Sequence, residues 1–241
     1  MKYKNLILIG TSHIAEQSLR EVEETIEKEK PDIIAVELDK RRKYALLSNQ
    51  NRKISVLDIK HIGFKGYLFS LVGAFLQKKL GKLVGISPGS EMLTAIKLAN
   101  KKKINVALID QDILVTLRRL KSISFIEFLK LFIIDPLKAL IFKKSAVDGL
   151  EIKKLDLRKV PEKDLIRKLM NVIKKRYPIL YKVLIEERNE YMASRLARIM
   201  YSNDDKKILA VVGAGHEEEL IDLIKKKKID VVSYSYNYSY K

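Results

Sequence analysis

Three short runs of apolar residues stand out along the chain: LILI at 6–9, IIAV at 33–36 and ILAVV at 208–212. Runs this short, without polar alternation, suit strands covered on both faces of a parallel sheet. INVALID, at 104–110, reads as another buried strand. LILIGTSH leads into AEQSLREVEETIEKEK, and ILAVVGAGH leads into EEELIDLIKKKK; both segments open with acidic side chains and close with lysines, which complements a helix dipole. A second apolar strand beginning with Asp follows each, PDIIAVE in one case and IDVVSYS in the other.

The two ends of the chain therefore repeat one order of parts: strand, Gly-x-x-His, helix, strand. The pattern predicts an α/β fold in which two βαβ units share a mainly parallel or mixed sheet, each with a right-handed crossover. Residues 1–59 hold the first unit and the helix after it, and 206–241 hold the second. Between them, 60–205 reads as a mostly helical insertion with one strand near 104–110 and breaks at SPGS (87–90), Pro161 and Pro178. Residues 1–241 are expected to form a single domain. The final YSYNYSYK fits either a last strand or a frayed end.

In this arrangement His13 and His216 both follow carboxyl ends of strands, and Glu37 stands at the end of another. Those ends share one edge of a parallel sheet, the edge where ligands bind in open α/β folds. Asp110 brings a further carboxylate there, leading into the helix QDILVTLRRL. Gly10 and Gly213 are expected to let the chain turn off its strands.

Composition narrows the chemistry. With 241 residues, 47% of them hydrophobic, the chain can bury a substantial core. It has no cysteine, so disulfides and thiolate metal sites are excluded. The net charge of +18 comes mostly from lysine. Abundant Lys, Glu and Ile, without Cys or Trp, also match heat-adapted proteins with a solvated charge coat, so no specific nucleic-acid partner is predicted. MKYKNLILIG is too short an apolar stretch for a secretory signal. The apolar segment 122–142 contains Glu127, Lys130, Asp135, Pro136 and Lys138, which suits a buried or interfacial helix better than a membrane span. The expectation is a cytoplasmic protein, with membrane-surface association left open.

Two imidazoles and a carboxylate, from His13, His216 and Glu37, match the ligand count of a catalytic divalent-metal site. Only three histidines exist, and two hold equivalent places in a repeat. His61 has no such partner and reads as a surface or core residue. Glu37 either joins this site or pairs with Arg41 or Arg42. Asp39 reads as the cap of the helix DKRRKYALL. Ile185, Asn189, Met192, Leu196 and Ile199 fall at spacings of four and three, so Asn189 interrupts an apolar helix face. Asn189 either ties that helix to backbone groups or reaches the site beside Arg188, whose guanidinium suits a carboxylate or developing oxyanion. In SPGSEM, Ser90 is a candidate helix cap.

GTSH, PDIIAVELDKRR, PGSEM, LIDQDI, ERNEYMA and VVGAGH, in this order, resemble the TraB/PrgY family and, beyond it, the Tiki, GumN, ChaN and erythromycin-esterase proteins. The likeness spans nearly the whole chain and implies site roles for His13, Glu37, Arg188, Asn189 and His216. Tiki relatives are metal-dependent proteases, and TraB/PrgY proteins limit peptide pheromones. The resemblance thus implies a metal-dependent hydrolase acting on peptides, with Mn²⁺, Co²⁺ or Zn²⁺ on His13, Glu37 and His216, or else with one of these three as general base, and with Arg188 and Asn189 orienting substrate. The alternative is a non-catalytic protein that sequesters a peptide in the same cleft. The family's LIDRD pattern carries arginine where this chain has Gln111, which leaves charge pairing at Asp110 and Asp112 open.

Overall fold

The computed structural model describes residues 1–11, 16–48, 58–84, 89–142 and 163–227. The elements run β1 (Lys2–Tyr3), β2 (Leu6–Thr11), α1 (Glu16–Glu29), β3 (Ile33–Val36), α2 (Lys40–Ser48), α3 (Ile59–Val84), α4 (Ser90–Lys102), β4 (Asn105–Leu108) and α5 (Ile113–Arg119). They continue with α6 (Phe125–Leu129), α7 (Asp135–Phe142), α8 (Lys163–Arg176), α9 (Pro178–Tyr181), α10 (Glu187–Ser202), β5 (Ile208–Gly213) and α11 (Glu217–Lys226). The described strands form a mixed five-stranded sheet in the order β1-β2-β5-β3-β4, parallel except for β1. β5 lies between β2 and β3, so the last described strand completes the middle of the sheet. IDVVSYS and YSYNYSYK lie outside the described residues.

The apolar runs explain the layering. Successive strand residues point to opposite faces, and here both faces are covered. Leu6, Leu8, Ile33, Ala35, Ile208, Ala210 and Val212 pack against Met192 and Leu196 of α10 and Leu220, Ile221 and Ile224 of α11. Ile7, Ile9, Ile34, Val36, Leu209 and Val211 pack against Val22 and Ile26 of α1 and Met92, Ala95, Ile96 and Ala99 of α4. A third cluster, built on Ile62, Leu117, Leu120, Ile123, Leu180 and Val183, joins α3, α5, α9 and the turn before α10. Because α5 starts just past the carboxyl end of β4, that cluster adjoins the edge of the sheet where Glu37 and Asp110 emerge.

Local signals set several helix ends. Asp112 caps α5 by accepting the Leu114 amide at 2.8 Å, and Ser124 caps α6 by accepting that of Glu127 at 3.1 Å. Ser90 is not the cap of α4: that position belongs to Gly89, whose φ of 84° suits a residue without Cβ, and Ser90 is the first helical residue. In segment 122–142 the chain is helical without a gap from Phe125 to Phe142, with a π-helical stretch at Lys130–Ile134 joining α6 to α7. No helix among the described residues is long and apolar enough to cross a membrane.

Candidate functional site

Parallel pairing puts the strand ends side by side. Thr11 is in register with Gly213, and Val36 with Val211 and Leu108. Past the sheet, the Ala214 amide donates to the Thr11 carbonyl at 2.8 Å, joining the two Gly-x-x-His segments. Gly10 serves this approach: a Cβ there would lie 2.7 Å from Glu217 Oε2 and 3.0 Å from Ala214 Cα. Its φ is not positive, and neither is that of Gly213, so close approach rather than an unusual turn is the requirement at Gly10. His13 lies outside the described residues, whereas Glu37, Arg188, Asn189 and His216 converge on this edge.

Arg188 is the centre of the cluster. Its Nε donates to Asp110 Oδ1 at 3.1 Å, and its Nη2 donates to Asp110 Oδ2 and Glu37 Oε1. Its Nη1 donates to the Leu184 carbonyl and meets His216 Nε2, each at 3.2 Å. A guanidinium has five N–H groups, and all five have acceptors here. Its side chain is 14% exposed, and those of Glu37 and Asp110 are 3% and 0% exposed. Burial works against the guanidinium charge, but Glu37 and Asp110 outweigh it and hold the pKa above the ordinary arginine value.

The carboxylates have further partners. Glu37 Oε2 accepts the Gly213 amide at 2.6 Å, so the strand-end glycine also anchors the acid. Asp110 accepts from Arg42 Nη2 as well as from Arg188, and its Oδ1 takes the Gln111 amide at 2.8 Å. Arg42 thus pairs with Asp110 and, through Nε at 2.7 Å, with Asp39, while Arg41 pairs with Asp112 at 3.2 Å. Glu37 instead finds Arg188, 151 residues away in sequence. Charge pairing at both aspartates survives without an arginine at 111, where buried Gln111 donates to Thr116 Oγ1 at 2.7 Å. Asp39 also accepts the Arg41 and Arg42 amides at 2.7 and 3.1 Å, the geometry of a helix cap.

His216 is fixed from its other nitrogen. Asn189, fully buried, donates from Nδ2 to Glu219 Oε2 at 2.8 Å, which turns its Oδ1 toward His216 Nδ1 at 2.6 Å. A carboxylate only accepts, so this orientation puts a proton on Nδ1, while the donor-only guanidinium of Arg188 is what calls for a lone pair on Nε2. Nε2 then faces the Arg188 donor, and it lies 3.4 Å from Glu37 Oε1. Glu219 also meets the Tyr181 hydroxyl at 3.4 Å. Sequence reasoning missed Glu219 and Tyr181; the signal for Glu219 was its place three residues after His216, in a run of acids read only as dipole compensation. A cavity of about 130 Å³ between α8 and the turn before α11 is lined by Lys163, Met170, Tyr181, Gly215 and Glu219, so it adjoins the outer side of this network. His61 is exposed and stands apart.

No three His, Asp or Glu side chains form a metal-ligating group among the described residues. Glu37 Oε1 and His216 Nε2 are close enough for two ligands of one ion, but both meet the Arg188 cation. Among the described residues these two side chains are the candidate ligands, and the third, His13, lies outside them.

The comparisons with known proteins assign the chain to a family. The chain is 37% identical over 227 residues to a protein of Methanocaldococcus jannaschii described as uncharacterised, covering 92% of this chain and 54% of that one. It is 26% identical over 239 residues to the TraB domain-containing proteins of mouse and human, covering 87% of this chain and 60% of each of those. The chain thus spans between half and two thirds of the length of these relatives. The TraB/PrgY/gumN family profile matches residues 2–233, nearly the whole sequence, and the chain belongs to that family.

Proposed function

We propose that the chain is a hydrolase of peptide or related amide bonds, with His216 as general base and Arg188 as the group that stabilises the oxyanion. The observation that supports this reading is the placing of His216 between Asn189 Oδ1 at Nδ1 and Arg188 Nη1 at Nε2, which suits the Nδ1–H tautomer and aims Nε2 at a guanidinium and a carboxylate inside a buried cluster. Arg188 has no spare N–H, so a substrate carbonyl oxygen must take over one existing bond. The bond to His216 Nε2 is the one whose exchange serves catalysis. As the carbonyl oxygen accepts from Nη1, the Nε2 lone pair is released to take a proton from water, and the water oxygen attacks the carbonyl carbon. The oxyanion forms against Nη1, and the imidazolium is stabilised by Glu37. Nε2 then returns the proton to the leaving nitrogen as the C–N bond breaks.

Metal dependence, implied by the resemblance, would use Glu37 and His216 with His13; no step above routes through an ion. The saturation of Arg188 favours a second reading, a peptide-sequestering protein in which the cluster is an ion-paired wall. Digestion of a peptide library, with chelator and with Mn²⁺, Co²⁺ or Zn²⁺ added, separates the two. Hydrolysis predicts cleavage that falls at least ~10²-fold in His216→Gln. Cleavage unaffected by that substitution overturns the assignment, and peptide binding without cleavage under every metal condition supports the second reading.

A further inference from the structure

The helical cluster beside the site leaves an apolar face uncovered among the described residues. On α3, Phe64, Leu68, Leu71 and Phe75 recur at spacings of four, three and four, one stripe of a helix. Phe64 is 64% exposed, Leu71 41% and Phe75 63%. The opposite side of α3 is packed: a Cβ on Gly66 would lie 2.4 Å from the Leu117 carbonyl oxygen, and Phe69 meets Phe132 edge to face with centroids 5.0 Å apart. α6, α7 and the π-turn between them add Phe125 (69% exposed), Ile126 (65%), Ile133 (48%) and Leu137 (49%). The Phe69–Phe132 contact makes these elements one packed unit.

The charges on this unit are one-sided. Residues 59–84 contain no Asp or Glu, and 113–142 contain only Glu127 and Asp135. Both are buried and used inward: Glu127 accepts the Ile179 and Leu180 amides at the start of α9, and Asp135 pairs with Arg176 and Tyr177. Lys60, Arg118, Lys121, Lys130 and Lys138 remain exposed. Among the described residues of these two stretches, every exposed charge is therefore positive.

From this geometry we infer that α3, α6 and α7 form a docking face for an anionic lipid surface, with the lysines at the phosphate headgroups and the apolar stripe at the acyl boundary. A second copy of the chain does not suit the face, because self-association would bring two all-cationic surfaces together. Nucleic acid leaves the aliphatic Leu71, Ile126, Ile133 and Leu137 without a partner chemistry. A face that combines exposed apolar side chains with cationic ones lies in the plane of the membrane interface. This inference is independent of the hydrolase reading.

Co-sedimentation of the full chain with vesicles tests it. Phosphatidylcholine vesicles containing phosphatidylglycerol should bind the protein, and pure phosphatidylcholine vesicles should bind it far less. Phe64→Gln, Phe125→Gln and Ile133→Gln combined keep the net charge and replace exposed side chains, so melting should hold while binding to the anionic vesicles falls at least ~10-fold. Replacing Lys101, Lys102 and Lys103 with Gln, on a different part of the surface, should weaken it less. Equal binding by the wild type and the triple variant would show that net charge alone is responsible and overturn the face. Absence of binding to anionic vesicles would also overturn it, as would a solution dimer that the triple variant dissociates.

Discussion

Arg188 and Arg176 each join an aspartate far away in sequence, yet they do different work. Arg176 ties the end of α8 to Asp135 at the start of α7, donating from Nε at 2.7 Å, and Tyr177 donates to the same carboxylate. Its side chain is 35% exposed, and no histidine or second carboxylate joins it among the described partners. Arg188 is at 14% exposure, meets two carboxylates with almost no solvent contact and touches an imidazole. One ion pair fastens two helices at the surface. The other gathers groups from three strand ends and a helix, a costly arrangement when hydrophobic packing would hold the elements as well. The difference teaches that the position of an ion pair, at a sheet edge and out of water, separates a candidate site from a fastening.

Breaking the first cluster should have the largest effect. Arg188→Met leaves Glu37 and Asp110 buried without their main cation, and stability should fall by about 3–5 kcal/mol, the usual cost of removing one partner of a buried pair. Urea unfolding measures it. A loss under about 1 kcal/mol would show that water or Arg42 compensates, making the cluster less dry than its burial indicates.

The second cluster should respond more weakly and show a pH signature. Bonding to Arg176 lowers the Asp135 pKa below its ordinary 3.8; burial works the other way, and Tyr177 adds to the lowering. Because the folded value is the lower one, the contribution is complete above the ordinary value and disappears as pH falls through the folded value. Asp135→Asn should cost about 1–2 kcal/mol near neutral pH, discounted because Arg176 is partly exposed. Its deficit relative to wild type should shrink at acid pH, below the usual aspartate range. A deficit independent of pH would place the effect in packing rather than charge.

The strands and their shared edge were legible in the sequence because LILI, IIAV and LAVV are short apolar runs without alternation, which suit strands covered on both faces. The edge brought Glu37 and His216 into one region; periodicity put Asn189 on an apolar helix face, and only the family resemblance carried the Arg188–Asn189 helix to that edge. Partner choice was not legible. Arg41 and Arg42 are near Glu37 in sequence, but helix α2 turns them toward Asp112, Asp39 and Asp110, leaving Glu37 to a residue at the start of α10. Insertion of β5 between β2 and β3 was equally hidden, because strand order depends on long-range pairing that no local pattern records. Ser90 was misread as a cap because its residue type is the commoner choice, while the backbone places Gly89 there.

The smallest expected effect sharpens the comparison most, because it tests how His216 is held rather than whether the fold survives. Glu219 orients Asn189, and Asn189 orients the imidazole. Glu219→Gln keeps an acceptor for Asn189 Nδ2, so His216 should stay protonated at Nδ1, with a stability change under about 1 kcal/mol. Glu219→Met removes the acceptor, and the amide of Asn189 can then turn its NH₂ group toward Nδ1. That flip would move the ring proton to Nε2, directly against the Arg188 donor at 3.2 Å, so neither state is fully satisfied. Nitrogen NMR of the histidine ring should report Nδ1–H in the wild type and in Glu219→Gln, and a mixture of tautomers in Glu219→Met. If all three proteins show the same Nδ1–H form, Glu219 does not set the tautomer and the orientation comes from the Arg188 side of the ring.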